Sequence, residues 1–349
     1  MTGASIVPTP RAEGGHGATR PAIRKLIAAG VRATLAFSPW PAALLLRYTF
    51  KKGAEERAAR QMNDAPADIV AFLDERYDPG PGSLLDVYVP GGVVRANACL
   101  PVVVWVHGGA FVGGSKEELG GYLRMLAGRG LCVVGVRYTL APEAKYPTPV
   151  RQVMAALHHI QGHSARLHIN PALVVMAGDS AGAQIAAQVA GLVTNPDYAA
   201  EVGVRSTLAP SRLRGVALCC GIFDLSAVRD GGPFSDLVSA VGWAYSGHRN
   251  FRADSFFVGT VSVPRFVTPA FPATFVTAGN VDPLLSQSLA FASALTDRGV
   301  NVETLLYEDG HQPPLGHEYQ FELDLADGRA AFERLVGFFE RCTRADEPA

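Results

Sequence analysis

The sequence predicts an α/β fold in which helices flank a mostly parallel central sheet, and three observations support this. Short apolar segments alternate with helical patterns along the chain, as in βαβ units. Several of these segments are apolar throughout, which is typical of strands that are covered on both faces. Two of them run directly into glycine-rich turns, at residues 107–114 and 178–182. With 349 residues, the chain is also long enough to bury a sizeable core.

The N-terminal part of the chain differs from the rest. The first 20 residues are rich in Gly, Pro, Ala and Thr, and we expect them to be disordered. Residues 21–66 follow as a helical segment. Within it, basic residues bracket aliphatic and aromatic ones over residues 23–52, a pattern that could place a pair of helices on a membrane surface. Arg32, Pro39 and Pro41 interrupt this stretch, so it is neither one bilayer-spanning run nor a signal peptide.

The remaining elements follow the pattern of a sheet with crossover helices. A hairpin opens it, and a final helix begins near Ala326 or Arg329. Residues 225–269 break the alternation with small, basic and aromatic residues, which indicates either an inserted cap or a helical excursion on the surface. The predicted strands are residues 69–73, 84–89, 102–106, 131–137, 173–177, 215–223, 273–280 and 302–307, with helices at about residues 147–161 and 183–190.

Composition and charge argue against several classes of function. The formal net charge is −1, so nothing indicates a nucleic acid partner. The five cysteines are scattered without C-x-x-C spacing, which indicates neither a zinc site nor a disulfide framework. We therefore expect a cytoplasmic protein in which most cysteines are small core residues.

The most informative motif is Gly178-Asp179-Ser180-Ala181-Gly182. It follows an apolar strand and precedes a helical run of small residues, which is the context of a nucleophile elbow. Such a turn exposes the serine hydroxyl, and the flanking glycines leave room for neighbouring backbones. It also places the N–H of Ala181 at a helix N-terminus, where it can donate to an oxyanion. Ser180 is therefore the candidate nucleophile.

A second glycine-rich turn follows the strand at residues 102–106 and begins His107-Gly108-Gly109-Ala110. Glycine lets consecutive backbone N–H groups turn toward an anionic oxygen. Gly108, Gly109 and Ala110 are therefore candidate oxyanion-hole donors. His107 could act as a base, but a histidine that begins a glycine loop is better suited to hold that loop by a hydrogen bond.

Together these motifs resemble the hormone-sensitive-lipase-like family of α/β hydrolases, which has an H-G-G-G-type loop and G-D-S-A-G around the nucleophile. Ala110 stands where the family usually has a third glycine. A further match is Y-T-L-A-P-E at residues 138–143, similar to the family's Y-R-L-A-P-E. The resemblance covers roughly residues 68–341 and implies an α/β-hydrolase fold with a helical cap. The implied parts are cap helices over residues 21–66, a catalytic domain over residues 67–349, and a second cap insertion over residues 225–269.

The acid should follow the nucleophile along the chain, because α/β-hydrolase triads run Ser, then Asp or Glu, then His. Asp282 follows a short apolar strand and matches the family's D-P-L, so it is the candidate acid that would orient the histidine. Asp-Pro also commonly begins a turn, here before a helix near Ser286. Asp224, which follows another predicted strand, is the rival.

Two histidines follow the last predicted strand. His311 lies four residues after Tyr307 and His317 lies ten after it. The resemblance favours His317, because the family's histidine lies on the loop that leads to the final helix and precedes an aromatic residue. His311 remains the alternative base.

The resemblance implies a serine carboxylesterase that hydrolyses short to medium acyl esters through an acyl-enzyme, without a metal or an organic cofactor. The same triad would serve a lactonase, an amidase, an acyltransferase or a membrane-associated lipase. Plant receptors of this fold bind ligands without hydrolysis, so a non-catalytic ligand-binding protein is a further alternative. The expected partner is a small ester. Membrane contact through residues 23–52 competes with their role as a cap, and the edge of the last strand could form a homodimer.

Overall fold

A single sheet lies at the centre of the computed structural model, which describes residues 37–227 and 235–344. Within these residues the strands are β1 (Ile69–Arg76), β2 (Leu84–Pro90), β3 (Leu100–Val106), β4 (Cys132–Arg137), β5 (Ile169–Asp179), β6 (Leu213–Cys219), β7 (Ala273–Ala278) and β8 (Val302–Leu306). Their order is β1-β2-β4-β3-β5-β6-β7-β8. The hairpin strands β1 and β2 pair antiparallel, as do β2 and β4, and the other pairs are parallel. The predicted α/β class with a mostly parallel sheet is therefore confirmed.

Helices connect the strands and cover the sheet. In the described part of the chain they are α1 (Trp40–Asp64), α2 (Gly91–Arg95), α3 (Gly120–Ala127), α4 (Thr148–Gly162), α5 (Ala181–Thr194), α6 (Pro196–Val202), α7 (Ser235–Ser246), α8 (Ser255–Val261), α9 (Leu285–Thr296) and α10 (Ala326–Thr343). Short 3-10 turns lie at Glu117–Leu119, Pro210–Arg212, Leu225–Ala227, Phe251–Ala253, Val263–Phe266 and Tyr319–Phe321.

The core lies on both faces of the sheet. In β3, Val102 and Val104 face one buried cluster, whereas Val103 and Trp105 face the other. Successive side chains of a strand point to opposite faces, so a strand covered on both sides is apolar at every position. This burial explains why the central strands showed no polar alternation in the sequence. It also makes them a rigid base for the turns at their carboxyl ends.

The strand predicted at residues 215–223 is too long at its end. β6 stops at Cys219, because Cys220 has a φ of 47° and turns the chain out of the extended path. The N–H of Cys220 donates to the carbonyl oxygen of Thr277 on the neighbouring strand. The apolar pattern continues to Phe223, beyond the end of the strand, because the turn that follows β6 is itself buried.

The N-terminal helical segment contains one long helix among the described residues. Pro39 caps α1 and Pro41 lies in its first turn, where a missing N–H costs nothing, so these prolines begin the helix. α1 packs on α7 through Ala42 and Ala240.

Parts of three predicted segments lie outside the described residues. These are the N-terminal segment at residues 1–20, residues 21–36 of the predicted cap helices, and residues 228–234 of the predicted second cap insertion. The remainder of that insertion contains α7, α8 and short 3-10 turns. No helix in the described part of the chain is long and apolar enough to cross a membrane.

Candidate active site

Ser180 lies on the turn between β5 and α5. Its backbone has φ 51° and ψ −118°, a strained conformation for a residue with a side chain. A Cβ atom on Gly182 would collide with the carbonyl oxygens of Val106 and His107, and one on Gly178 would collide with Gly182. Both glycines are therefore needed for this close approach of backbones. The turn holds the serine at the carboxyl end of the sheet, as an elbow motif requires.

A chain of hydrogen bonds runs from Ser180 through His317 to Asp282. The Ser180 Oγ atom lies 2.9 Å from His317 Nε2. His317 Nδ1 lies 3.0 and 3.1 Å from the two carboxylate oxygens of Asp282. The Asp282 side chain is fully buried and accepts a further bond of 2.7 Å from the Leu284 N–H. With the Nδ1 proton directed at Asp282, Nε2 is left as an acceptor for the serine proton.

The surroundings of His317 favour its protonated form. Burial opposes a charged ring, but the groups that face it, including the Asp282 carboxylate, outweigh it and raise the pKa of His317 well above its ordinary value of 6.5. Burial also raises the pKa of the Cys220 thiol and keeps it neutral, so the lasting negative charge beside the ring is that of Asp282. The imidazolium that forms when the ring accepts a proton is thereby stabilised.

Two of the three predicted loop donors, the N–H groups of Gly109 and Ala110, have no backbone hydrogen-bond partner in the described part of the chain. The Gly108 N–H donates to the Asp179 carboxylate at 2.8 Å. The prediction of Gly108 as an oxyanion donor is therefore corrected, because its proton is already bound. Gly109 and Ala110 follow with φ values of 107° and 53°, which turn their backbones away from the direction of β3. The Ala181 N–H lies in the first turn of α5, where it has no partner within the helix.

Asp179 holds this loop against β3. Its carboxylate accepts hydrogen bonds of 2.8 Å from Trp105 Nε1 and from the Gly108 N–H. Burial and the nearby Glu318 carboxylate raise the pKa of Asp179 to about 8, whereas the two donated bonds favour its charged form. Asp179 therefore fixes the start of the loop that carries the remaining donors.

His107 also supports the loop. Its ring is buried and stacks on Tyr138 with centroids 4.4 Å apart, and its Nδ1 lies 2.8 Å from the Gly108 carbonyl oxygen. Burial lowers the pKa of His107 to about 4, so the ring is neutral near pH 7. These contacts agree with the structural role expected from the sequence.

His311 and Asp224, the alternative base and acid, make contacts of another kind. The His311 ring packs on Tyr307 and lies 3.1 Å from the carboxylate of Asp327 at the start of α10. Asp224 accepts bonds of 2.5 and 2.8 Å from the hydroxyls of Ser226 and Ser262. Although burial opposes it, these bonds lower the pKa of Asp224. The structure brings His317 and Asp282 to Ser180 instead.

Two residues of the site were not predicted. Asn280 accepts from the Leu315 N–H at 2.8 Å and donates to the His311 carbonyl oxygen at 3.2 Å, so it ties the loop of His317 to the turn of Asp282. An amide just before the acid was the available signal for Asn280. The second residue is Cys220, which lies on a turn beside His317 and Asp282. Because the sequence is apolar through this turn, it gave no sign that the strand ends there.

The described residues include one cluster of atoms that could bind a metal ion. The Cys220 sulfur, the Asp282 carboxylate and the His317 ring lie within 4.8 Å of one another. Sulfur, nitrogen and oxygen donors of this kind suit Zn²⁺. The Asp282 carboxylate and the His317 ring already form a hydrogen bond to each other, and the ring forms another to Ser180.

Comparisons with known proteins show the same fold. A family model described as an alpha/beta hydrolase fold matches residues 103–312. The carboxylesterase NlhH of Mycobacterium tuberculosis is 29% identical over 309 residues, which cover 85% of this chain and 92% of that protein. Esterase B of Lactobacillus rhamnosis has a similar structure, with a TM-score of 0.75 and 22% identity over 87% of this chain and 97% of that one. An esterase of Pyrobaculum calidifontis gives a TM-score of 0.68 at 25% identity, over 93% and 99%.

Proposed function

The chain belongs to the hormone-sensitive-lipase-like family of α/β hydrolases, and we propose that it is a serine carboxylesterase that hydrolyses short to medium acyl esters through an acyl-enzyme. The observation that carries the proposal is the chain of hydrogen bonds from Ser180 through His317 to the buried Asp282. The similarity to a carboxylesterase over most of both chains supports a carboxylic ester hydrolase. The family resemblance supports the acyl length.

Acylation begins when the Ser180 Oγ atom attacks the ester carbonyl carbon. His317 Nε2 accepts the hydroxyl proton as the new C–O bond forms, and Asp282 stabilises the resulting imidazolium. The tetrahedral intermediate then collapses. The bond to the alkoxy group breaks, Nε2 returns the proton to the departing alcohol, and the acyl group remains on Ser180.

Deacylation repeats these steps with water. Nε2 takes a proton from the water as its oxygen attacks the acyl carbon, and the second intermediate releases the carboxylic acid when Ser180 regains its proton. In both halves the negative carbonyl oxygen would accept hydrogen bonds from the N–H groups of Gly109, Ala110 and Ala181. Each such donor contributes about 10²- to 10³-fold in rate.

The test is hydrolysis of nitrophenyl esters by the purified protein. We expect turnover of the acetate and butyrate esters, and a fall of about 10⁴-fold or more in Ser180→Ala, because the nucleophile is lost. The exposed Ser211 provides the matched control, Ser211→Ala, which should keep full activity. Folding of each variant is checked by circular dichroism.

The alternatives give different outcomes in the same assay. An amidase or lactonase would prefer nitroanilides or lactones, and a lipase would prefer emulsified long-chain triglyceride over soluble esters. A folded wild-type protein that turns over none of these substrates would contradict the proposal and favour a ligand-binding protein.

A further inference from the structure

The N-terminal helix α1 contacts the loop that follows β3. Arg47 donates from Nε to the Val112 carbonyl oxygen at 2.8 Å and from Nη2 to the Ala141 carbonyl oxygen at 3.2 Å. Its guanidinium also pairs with both carboxylate oxygens of Glu143, at 2.8 and 2.9 Å. Val112 lies only two residues after Ala110, so α1 is fixed to the glycine-rich loop on one side.

The same helix contacts the loop of His317 about three turns later. Arg57 Nη2 lies 3.3 Å from the carboxylate of Glu318, the residue after His317. The guanidinium also lies over the ring of Phe321, 5.0 Å from its centroid. The buried Gln61 donates to the Phe321 carbonyl oxygen at 2.8 Å. Together Arg57 and Gln61 hold residues 318–321. Glu318 has a left-handed φ of 62°, an unfavourable conformation for a residue with a side chain, and these contacts help to maintain it.

Charge gives Arg57 a further part in this arrangement. The carboxylates of Asp179 and Glu318 both lie against Gly108: its N–H is bonded to Asp179, and a Cβ on Gly108 would meet the Asp179 carboxylate and lie 3.1 Å from that of Glu318. The nearby Glu318 carboxylate favours the neutral form of Asp179, and the Arg57 guanidinium, only 17% exposed, opposes this effect while it pairs with Glu318. Without this cation, the Glu318 carboxylate would lose its ion pair with α1.

We infer that α1 positions the active site through two arginines, with Arg57 holding the loop of His317 and Arg47 holding the loop of the oxyanion donors. This inference rests on the proposed esterase function and extends it to residues that do not touch the substrate. Both arginines are positioning residues. Displacement of His317 by about 1 Å is enough to lower the rate about 100-fold, so loss of the Arg57 contacts should act on kcat.

The experiment compares Arg57→Ala, Arg57→Lys and Arg47→Ala with a control on the same helix, Arg60→Ala. Arg60 is half-exposed and pairs only loosely with Asp324, at 3.6 Å. For each variant, kcat and KM are measured with nitrophenyl butyrate, and the rate at which a fluorophosphonate labels Ser180 is measured separately. Labelling reports the reactivity of the serine without depending on the ester chosen.

We expect Arg57→Ala and Arg47→Ala to lower kcat and the labelling rate about 10- to 100-fold with KM changed less than about threefold. Arg57→Lys should recover part of the loss, because it keeps the charge without the planar fork. Arg60→Ala should match the wild type. Wild-type kcat and labelling in folded Arg57→Ala would overturn the inference.

Two further results separate the possible failures. If Arg57→Ala does not fold, Glu318→Gln removes the ion pair while keeping the shape of its side chain. A lower kcat in that variant supports the inference, and an unchanged kcat overturns it. If the wild type is neither labelled nor active, the proposed function itself fails. If the wild type is labelled and Arg57→Ala is labelled at the same rate, only the inference about α1 is overturned.

Discussion

The reactivity of Ser180 depends on the charge of one neighbouring ring. His317 can accept the serine proton only while Nε2 is unprotonated. Its pKa lies above the ordinary 6.5, because the Asp282 carboxylate and the other groups around the ring outweigh the effect of burial. A raised pKa keeps the ring protonated and inactive to a higher pH. The same shift also affects stability. At a pH below the pKa of His317 in the unfolded chain the protonated ring stabilises the folded protein, and this stabilisation is lost as the pH rises through the pKa of His317 in the folded protein.

We therefore predict that kcat/KM rises with pH through an ionisation centred above 6.5. The measurement is kcat/KM for nitrophenyl butyrate between about pH 5 and pH 9, with the spontaneous hydrolysis subtracted. A parallel profile of kcat shows whether the ring titrates differently once substrate is bound. An acid limb centred below pH 6.5 would contradict a raised pKa for His317.

The two histidines after β8 should differ in effect when each is replaced. His317→Ala removes the base and should lower kcat by about 10⁴-fold or more. His311→Ala removes a ring that contacts Tyr307 and Asp327, so we expect a loss of stability with kcat within about threefold. Steady-state kinetics and thermal unfolding of both variants make the comparison. Full activity in His317→Ala would show that the assignment is wrong.

The sequence identified Ser180 because the elbow is a local motif, in which the strand, the glycines and the helix lie within a few residues. It favoured His317 over His311 only through the family resemblance, since the path of a loop depends on distant contacts. Asn280 fixes that path by bonding to both the Leu315 N–H and the His311 carbonyl oxygen. For the same reason the sequence did not show that the Gly108 N–H is already bonded. Its partner, Asp179, is 71 residues away in sequence.

At the scale of elements, burial was easier to predict than conformation. The central strands were recognised because each is apolar on both faces, whereas the end of β6 was missed because the turn at Cys220 is equally apolar. Pro39 and Pro41 were read as interruptions of the N-terminal stretch, although they begin α1. Proline marks a boundary without telling which side of it is helical.

Exposed apolar side chains lie on α1 and just before it. Phe37, Trp40, Leu44 and Tyr48 are 89, 44, 50 and 65% exposed, and the last three lie four residues apart on one side of the helix. Exposed patches of this kind mark interaction surfaces. Two exposed lysines, Lys51 and Lys52, follow the patch and would favour an anionic surface.

Membrane contact, the alternative to the cap role of this segment, predicts that the protein binds vesicles containing anionic phospholipid and that a variant with Trp40, Leu44 and Tyr48 changed to serine does not. Co-sedimentation at low and high salt separates the apolar contribution from the charge contribution, because salt screens only the latter. Vesicles of neutral lipid are the control. If the wild type stays in the supernatant with both lipids, membrane contact is contradicted and the membrane-associated lipase loses its support.

At the scale of the whole molecule, strand order assembles a site from distant parts of the sequence. The glycine-rich loop follows β3, Ser180 follows β5, Asp282 follows β7 and His317 follows β8. Parallel strands place these turns at one edge of the sheet, where ligands bind in open α/β folds. That much follows from the sequence once the strands are known. The contribution of α1 does not, because a helix that precedes the sheet has no fixed place in the strand order.

The same strand order leaves β8 at the end of the sheet, and its outer edge pairs with no strand among the residues that the structure describes. A second copy could add its own β8 across a two-fold axis and join the two sheets. We predict a homodimer formed in this way, which sedimentation equilibrium would detect as twice the 36.9 kDa of one chain. Thr304 is exposed in the middle of β8, so Thr304→Lys would place a charge on the edge and yield a monomer. Because Ser180, Asp282 and His317 all come from one chain, that monomer should keep its esterase activity. A wild-type protein that sediments as a monomer would show that the edge is protected without a partner.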